Sequence, residues 1–327
     1  MSTRVSSWAD GGNIPSASSL TGISDAMKHR RGFIQLLIFL CGVAVTIFFY
    51  QVPYLRESFN RDCIDWSKIS ADSMTARQIV EYLKWTNHSS CQISHYFGGN
   101  YGSVSLLFSP GMDGQKAVCV DFQVEPVSEA CIVYSFGISN EWSFDEAMQK
   151  YGCYVFAFDP SMNKEDHLHS KRIHFYNLGL GYEDAVRSNG WNMKTLSSIY
   201  KMLKPKHGDM IIDYLKIDIE GDEWSVIENI ITSGMLSKIR QMGVEIHMWP
   251  VNATTINYHR NLIKTLQRLE ANGMVRFSSL INPTSSKYVE AFGFNDFTCY
   301  EIAWYNSYLY NNSTQVKDGI KGRVIEE

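Results

Sequence analysis

The sequence of 327 residues contains no extended stripe of lysine and arginine, which excludes one broad class of function. Its 30 basic residues are outnumbered by 34 acidic ones, and the formal net charge is −4. Proteins that bind nucleic acid derive most of their affinity from clustered basic side chains that neutralise phosphates. We therefore expect no nucleic-acid partner.

Two ligand-binding motifs are also missing. G-x-G-x-x-G is absent, which argues against a dinucleotide cofactor, because several glycines normally let the backbone approach a pyrophosphate. The stretch DIE at 218–220 is a poor substitute for the D-x-D motif of glycosyltransferases. With 45% hydrophobic and 13% aromatic residues, the composition otherwise fits a globular protein with a well-filled core.

The N-terminal part departs from the globular pattern. Residues 1–32 are polar, end near the basic cluster KHRR, and are predicted to form a disordered cytosolic tail. Residues 33–52 are uncharged and mostly apolar, as a membrane-spanning helix requires. No A-x-A site follows, which favours a signal-anchor over a cleaved signal peptide. The positive-inside rule then predicts a single-pass type II membrane protein whose folded part lies in the lumen of the endoplasmic reticulum or Golgi.

The cysteines and glycosylation sequons agree with a lumenal position. Six of the seven cysteines follow the predicted span, and an oxidising compartment would allow up to three disulfides. These six are Cys63, Cys91, Cys119, Cys131, Cys153 and Cys299. Their pairing stays open, and a buried free thiol is the alternative, above all for Cys153, which precedes an apolar strand. Sequons occur at Asn87, Asn252, Asn311 and Asn312.

Strands and helices alternate after a predicted stem with one short helix at 53–90. Apolar strands are predicted at 131–136, 154–159, 172–179, 213–218 and 241–249, and helices at 143–152, 194–204, 222–234 and 257–273. This alternation predicts a parallel sheet with helices on both faces, in one domain at 91–310 followed by a tail at 311–327. Two late strands, VRFSSL and FTCYEIAWYN, predict an antiparallel hairpin at one edge of the sheet. An earlier strand pair is predicted at 103–108 and 117–124.

The ends of the first two strands of this alternation carry a ligand signal. The turn SFGISNEW contains the single glycine Gly137, and the second strand ends in Asp159. In such sheets, ligands bind outside the carboxyl ends of the strands, and an acid at the second strand can accept hydrogen bonds from ribose. This pair favours S-adenosylmethionine (SAM), whose sulfonium needs no anion cradle. The alternative is an ordinary turn and a surface aspartate.

Longer strings in the same region resemble a known family. In chain order they are CIVYSFGISNEWSFDEAMQKYGCYVFAFDPS, IHFYNLGLG, MKTLSSIYKML, DYLKIDIEGDEW and GVEIHMW. Together they are similar to the methyltransferase-like protein 24 family, which is akin to FkbM-type SAM-dependent methyltransferases. The resemblance implies a class I methyltransferase fold, a Rossmann-like, doubly wound and mostly parallel α/β sheet. It also implies SAM-binding roles for Ser135, Phe136, Gly137, Ile138 and Ser139 in the turn, Asp159 at the ribose, and Asn177 and Leu178 at the adenine edge.

Four further residues are predicted to converge beside the methyl group of SAM. Asp218 and Glu220 follow one central strand, Glu245 and His247 end the next, and a spacing of two directs each pair to one side. His247 is the predicted general base, oriented by Glu245 or Glu220. Asp218 is predicted to contact SAM or the acceptor. A satisfied polar pair of Glu245 with His247 is one alternative, and a metal bound by all four residues is another; no metal is assigned.

The neighbouring acids Asp222 and Glu223 are predicted to begin the next helix, since carboxylates favour helix N-termini. The predicted function is transfer of a methyl group from SAM to a hydroxyl of a glycan or small molecule. One alternative is a catalytically inactive lumenal binding module on the same fold. The other is a Golgi-type glycosyltransferase.

Overall fold

The computed structural model describes residues 64–101, 112–283 and 285–310. The chain divides into two compact units, residues 1–64 and 65–327, and the elements below all lie in the second unit. Within the described ranges, no helix is both long enough and apolar enough to cross a bilayer. The predictions that fall outside the described residues concern the span at 33–52, the tails at 1–32 and 311–327, the strand at 103–108, Cys63, Asn311 and Asn312.

The described residues form strands and helices that we number in chain order. The strands are β1 (Ser94–Phe97), β2 (Asn100–Tyr101), β3 (Met112–Asp113), β4 (Lys116–Cys119), β5 (Ile132–Phe136), β6 (Tyr154–Phe158), β7 (His167–Ser170), β8 (Ile173–Tyr176), β9 (Gly179–Leu180), β10 (Ala185–Val186), β11 (Asn192–Lys194), β12 (Ile212–Ile217), β13 (Ile239–His247), β14 (Met274–Ile281), β15 (Ser286–Val289), β16 (Phe294–Phe297) and β17 (Cys299–Asn306). The α-helices are α1 (Ala76–Lys84), α2 (Ser143–Tyr151), α3 (Leu196–His207), α4 (Glu223–Thr232), α5 (Ile256–Ala271) and α6 (Ser307–Tyr310).

The central sheet has eight strands in the order β14-β17-β13-β12-β5-β6-β8-β7. The run from β13 to β8 is parallel, while β17 lies antiparallel to both β13 and β14. Strand β7 adds an antiparallel edge beyond β8. This order confirms the predicted class I α/β arrangement, including the late antiparallel pair β14 and β17.

The burial of the central strands explains why their sequences are so apolar. Every residue of β5, β12 and β13 is buried, as in sheets that are covered on both faces. Helix α2 joins the neighbouring strands β5 and β6, and α4 joins β12 and β13. These crossovers place the carboxyl ends of four parallel strands at one edge of the sheet, where the predicted ligand residues lie.

The predicted short helix at 72–85 is α1, and it packs against the main sheet. Its Tyr82 hydroxyl donates to Glu270 Oε2 at 2.8 Å, and the Arg276 guanidinium donates to the Tyr82 carbonyl at 2.6 Å. Residues 65–90, predicted as stem, therefore belong to the same compact unit as the sheet.

Two disulfides link four of the described cysteines. Cys91 pairs with Cys119, and Cys131 pairs with Cys153. The alternative of a free thiol at Cys153 is therefore wrong. Cys131 and Cys153 directly precede the paired strands β5 and β6, and this pairing brings their side chains together. Cys299 is a buried free thiol. Strand β4 pairs antiparallel with β1, so the first disulfide joins this hairpin.

Candidate functional site

A cleft of about 350 Å³ opens at the carboxyl ends of β5, β6, β12 and β13. Its volume lies in the range of small-molecule sites, and its position is the one that open α/β sheets use for ligands. Of the predicted site residues, those that line the cleft are Phe136, Gly137, Ile138, Ser139, Asp159, Asp218, Glu220 and Glu245. Those outside its lining are Ser135, Asn177, Leu178 and His247.

The turn after β5 requires a glycine at residue 137. Gly137 has φ +76°, and a Cβ atom there would lie 1.6 Å from the carbonyl oxygen of Asp218. The Gly137 N–H donates to the Phe158 carbonyl at 3.0 Å, and Lys216 Nζ donates to the Gly137 carbonyl at 2.8 Å. The turn is thus held against both neighbouring strands, and its residues 136–139 line the cleft.

Asp159 connects this turn to the segment that follows β6. Its Oδ2 accepts the Ser139 N–H at 2.7 Å, and its Oδ1 accepts the Ser161 N–H at 2.7 Å and hydroxyl at 2.6 Å. A carboxylate has about four lone-pair sites. These three hydrogen bonds therefore leave room for about one more, from a ligand hydroxyl in the cleft.

The two residues predicted at the adenine edge lie outside the lining of the cleft. Asn177 is exposed, and its N–H donates to Asp166 Oδ1 at 2.7 Å. Leu178 is buried outside the cleft lining. The cleft is lined in this region by Gly179, Leu180 and Met193. Ser135 is fully buried inside β5, one residue before the part of the turn that lines the cleft.

A cluster of largely buried charges lies at the floor of the cleft, which Lys216, Asp218 and Glu245 line, and continues beneath it with Lys116 and Glu301. Lys116 Nζ lies 2.5 Å from Glu301 Oε1 and 3.8 Å from Asp218 Oδ2. Lys216 Nζ lies 4.0 Å from the same Asp218 oxygen. Strand register places Glu245 of β13 opposite Glu301 of β17, so the carboxyl group of Glu245 faces the same cluster. Both lysines were missed by the sequence analysis.

Two of the carboxyl groups that line the cleft, those of Asp218 and Glu245, have opposite pKa shifts. Burial alone would raise the pKa of Asp218, but the two lysines and His247 hold it below its ordinary value. Burial, with the nearby charges of Asp218 and Glu301, raises the pKa of Glu245 to about 8. At neutral pH the pair therefore holds one proton, mainly on Glu245.

His247 is oriented by a residue that the sequence analysis assigned elsewhere. Its Nδ1 lies 3.0 Å from Glu223 Oε1, and its Nε2 lies 3.6 Å from Glu220 Oε2. The Glu223 carboxylate is fully buried and also accepts the N–H groups of Ile219 and Gly221 at 3.0 Å each. Glu223 thus joins the β12–α4 turn to the end of β13, in addition to starting the helix.

The surroundings of His247 keep its imidazole protonated. Burial alone would lower its pKa, but contacts with Cys299, Glu223 and Glu245 raise the pKa to about 11. An imidazolium cannot accept a proton at neutral pH, so this environment does not favour the general-base role, which stays a prediction. The arrangement is closer to the satisfied polar group that we also considered, with Glu223 as the main partner.

Asp222 is the N-cap residue of α4, as predicted, but its side chain makes no capping hydrogen bond. The carboxylate forms an ion pair with Arg187, and both residues line the cleft with Trp191. Glu220, in the preceding turn, has φ +58° and a side chain that is 73% exposed. The rim of the cleft therefore carries charged and aromatic groups that are accessible to solvent.

Two overlapping groups of side chains have metal-ligand chemistry. Ligand atoms of Asp218, Glu220 and His247 lie within 4.8 Å of one another, as do those of Glu245, His247 and Cys299. Both groups use the same imidazole. The first group faces the cleft through Asp218 and Glu220.

Comparisons with known proteins agree with the fold. The model of a family described as "Methyltransferase domain" matches residues 80–295. "Probable methyltransferase-like protein 24" of Rattus norvegicus is 30% identical over 193 residues, which cover 55% of this chain and 52% of the relative. The protein of the same name from Homo sapiens is 28% identical over 193 residues, covering 55% and 51%. The chain thus spans about half the length of the curated relatives that it matches.

The matched region contains part of α1, the whole run from β1 to β15 and hence every residue that lines the cleft, whereas Glu301 of the charge cluster lies beyond it. Because the family model covers more than half of the chain, and the relatives carry the name that the sequence strings resemble, the chain belongs to the methyltransferase family that includes methyltransferase-like protein 24.

Proposed function

We propose that the chain binds SAM and transfers its methyl group to a hydroxyl of a glycan or small molecule. One observation carries the proposal: a glycine turn with an adjacent acid and a largely buried carboxyl pair line the same cleft. The first pair, Gly137 and Asp159, suits the nucleoside part of SAM. The second pair, Asp218 and Glu245, suits a polar acceptor.

The residues around the turn fit this cofactor. Because Gly137 has no Cβ atom, the turn packs directly against the Asp218 carbonyl beside the cleft, and Asp159 has a free acceptor position for a ribose hydroxyl. Gly179 and Leu180 offer an apolar surface for the adenine. When bound, SAM supplies an electrophilic methyl group attached to a sulfonium.

The carboxyl pair would position the acceptor and take up its proton. Methyl transfer is an in-line displacement, so much of the rate enhancement comes from orientation of the acceptor. Asp218 is ionised and can accept a hydrogen bond from the acceptor hydroxyl. Glu245 lies beside it, 6% exposed at the cleft floor, and with a pKa of about 8 it is the proton acceptor in our proposal through the minor fraction that is ionised at neutral pH.

We propose further that the domain lies in an endomembrane lumen, anchored as a type II protein by residues 33–52. The two disulfides support an oxidising compartment, and the sequon asparagine Asn252 is exposed. SAM would then have to reach the lumen. Protease protection of intact microsomes, with glycosidase sensitivity of Asn252, tests the orientation; digestion of the domain without detergent would overturn it.

Calorimetry of the full-length chain in detergent tests the cofactor. Separate titrations with SAM, S-adenosylhomocysteine and UDP distinguish the three functions considered. Saturable binding of SAM and S-adenosylhomocysteine, without UDP binding, supports the proposal. Manganese-dependent UDP binding would instead indicate a glycosyltransferase, and binding of none of the three would indicate a binding module.

A further inference from the structure

The charge cluster at the cleft floor, together with the side chains that contact it, contains more acidic than basic groups. Its ionisable side chains are Asp218, Glu220, Glu223, Glu245, Glu301, Lys116, Lys216 and His247. Five of these side chains are acidic and three are basic, so acidic groups are in excess by two. Such an excess in a partly buried site must be balanced by protons or by a bound cation.

His247 has the orientation of a metal ligand. Its Nδ1 is bonded to the buried Glu223 carboxylate at 3.0 Å, and this contact fixes the ring and directs Nε2 toward Glu220. Histidines that bind metals nearly always donate their other ring N–H to a carboxylate, a carbonyl or water. The Nε2–Oε2 distance of 3.6 Å is too long for a good hydrogen bond, although the imidazole side chain is only 3% exposed.

We propose that Asp218, Glu220 and His247 form a binding site for a divalent cation of the Mn²⁺ or Zn²⁺ type. Their ligand atoms lie within 4.8 Å of one another. Ligands of one ion at bond lengths of about 2.0–2.2 Å lie up to about 4.4 Å apart, so small side-chain movements suffice. One imidazole with two carboxylates suits ions that accept both nitrogen and oxygen ligands.

The neighbouring lysines leave Asp218 able to bind the ion. Lys116 and Lys216 approach Asp218 Oδ2 only to 3.8 and 4.0 Å, both beyond hydrogen-bond length. The Glu220 side chain is 73% exposed and gives the ion a path from solvent.

The other ligand set is a weaker choice for the same ion. Glu245, His247 and Cys299 are all buried, and they would use the same imidazole. The set formed with Asp218 and Glu220 instead opens to the cleft, where a bound ion could contact an acceptor oxygen and polarise it. The site therefore goes beyond SAM binding and can be tested without any substrate.

Mn²⁺ titration of the EDTA-treated full-length chain, followed by calorimetry and by loss of the free-ion EPR signal, tests the site. We expect saturation at about one equivalent, and Glu220→Gln should weaken binding at least about tenfold. Glu146→Gln is the matched control, because Glu146 is also exposed and lies 3.2 Å from His169 outside the cleft. It should bind Mn²⁺ like the unmodified chain.

Absence of saturable Mn²⁺ binding, or unchanged binding by Glu220→Gln, would overturn the cation site. Glu220 is largely exposed, so its replacement by glutamine should preserve the fold, and the thermal midpoint of each variant checks this. SAM titration of the metal-free chain is a separate measurement. Normal SAM binding without Mn²⁺ binding would therefore reject the cation site and leave the proposed function intact.

Discussion

The Asp218 carbonyl oxygen occupies the space where a Cβ atom of Gly137 would lie, 1.6 Å from its ideal position. The backbone at the end of β12 therefore presses directly on the turn after β5. Since Asp218 and Gly137 both line the cleft, the same contact that packs two strands also shapes the proposed cofactor site.

Gly137→Ala is expected to weaken SAM binding at least about tenfold. The added Cβ atom must push the turn away from the Asp218 carbonyl, and a loss of about 1.4 kcal/mol in binding free energy already gives this factor. Calorimetry measures the loss. Gly234→Ala is the matched control: Gly234 has the same φ of +76°, but no atom lies within 4 Å of an added Cβ. Equal effects of the two variants on SAM binding would contradict the steric argument.

Asp159→Asn should lower SAM affinity about tenfold and destabilise the chain by about 1–3 kcal/mol, since an amide group cannot accept every hydrogen bond that the carboxylate accepts from Ser139 and Ser161. Titration calorimetry and urea unfolding give the two quantities. Asp166→Asn serves as control, because Asp166 also accepts a loop N–H but lies outside the cleft lining. A normal SAM affinity in Asp159→Asn would remove this carboxylate from the proposed site.

The residues predicted from the sequence alone are those whose position follows from the strand pattern. Strands β5, β12 and β13 are buried throughout, so their apolar runs are clear and their ends can be located. Gly137 and Asp218 follow two of these ends, and Glu245 lies near the third. Topology alone then brings them to one edge of the sheet.

The site residues that the sequence did not reveal are placed by tertiary packing and by the directions of their side chains. The pattern of apolar and polar residues along the chain contains neither. Lys116 comes from β4, outside the strand–helix alternation, and reaches the cleft floor only through tertiary packing. Lys216 lies two residues before Asp218 and could have been noticed as a charge in a buried strand. Glu223 points back to Ile219 and His247, a direction set by the tight turn that precedes α4.

Lys116→Met should destabilise the chain by about 3–5 kcal/mol, because Glu301 would keep a buried charge without its partner. The double variant Lys116→Met/Glu301→Gln should lose less stability than the sum of the single variants, by about 1–3 kcal/mol. Urea unfolding measures this coupling. The exposed pair Lys204–Asp209 is the comparison and should couple by less than about 1 kcal/mol. Additive effects at Lys116 and Glu301 would contradict a buried ion pair.

Removal of the Cys131–Cys153 disulfide by a double alanine replacement should cost about 3 kcal/mol of stability, because the bond closes a loop with a sequence separation of 22. The Cys91–Cys119 bond, with a separation of 28, should contribute a similar amount. Urea unfolding of the oxidised proteins measures both. Unchanged stability in both double variants would show that these bonds do not form in the folded chain.

Asp145 is fully buried in the first turn of α2, and burial raises its pKa to about 6, although Lys216 opposes the shift. The folded chain thus holds this proton more tightly than the unfolded chain does. Stability is therefore lost as the pH rises from about 4 through 6, by about 3 kcal/mol for a shift of about two units. Asp145→Asn stays neutral and avoids this loss. Its unfolding free energy relative to the unmodified chain should increase by about that amount between pH 4 and 7.5, as measured by urea unfolding. A difference that does not change with pH would mean that the Asp145 carboxyl titrates alike in the folded and unfolded chains.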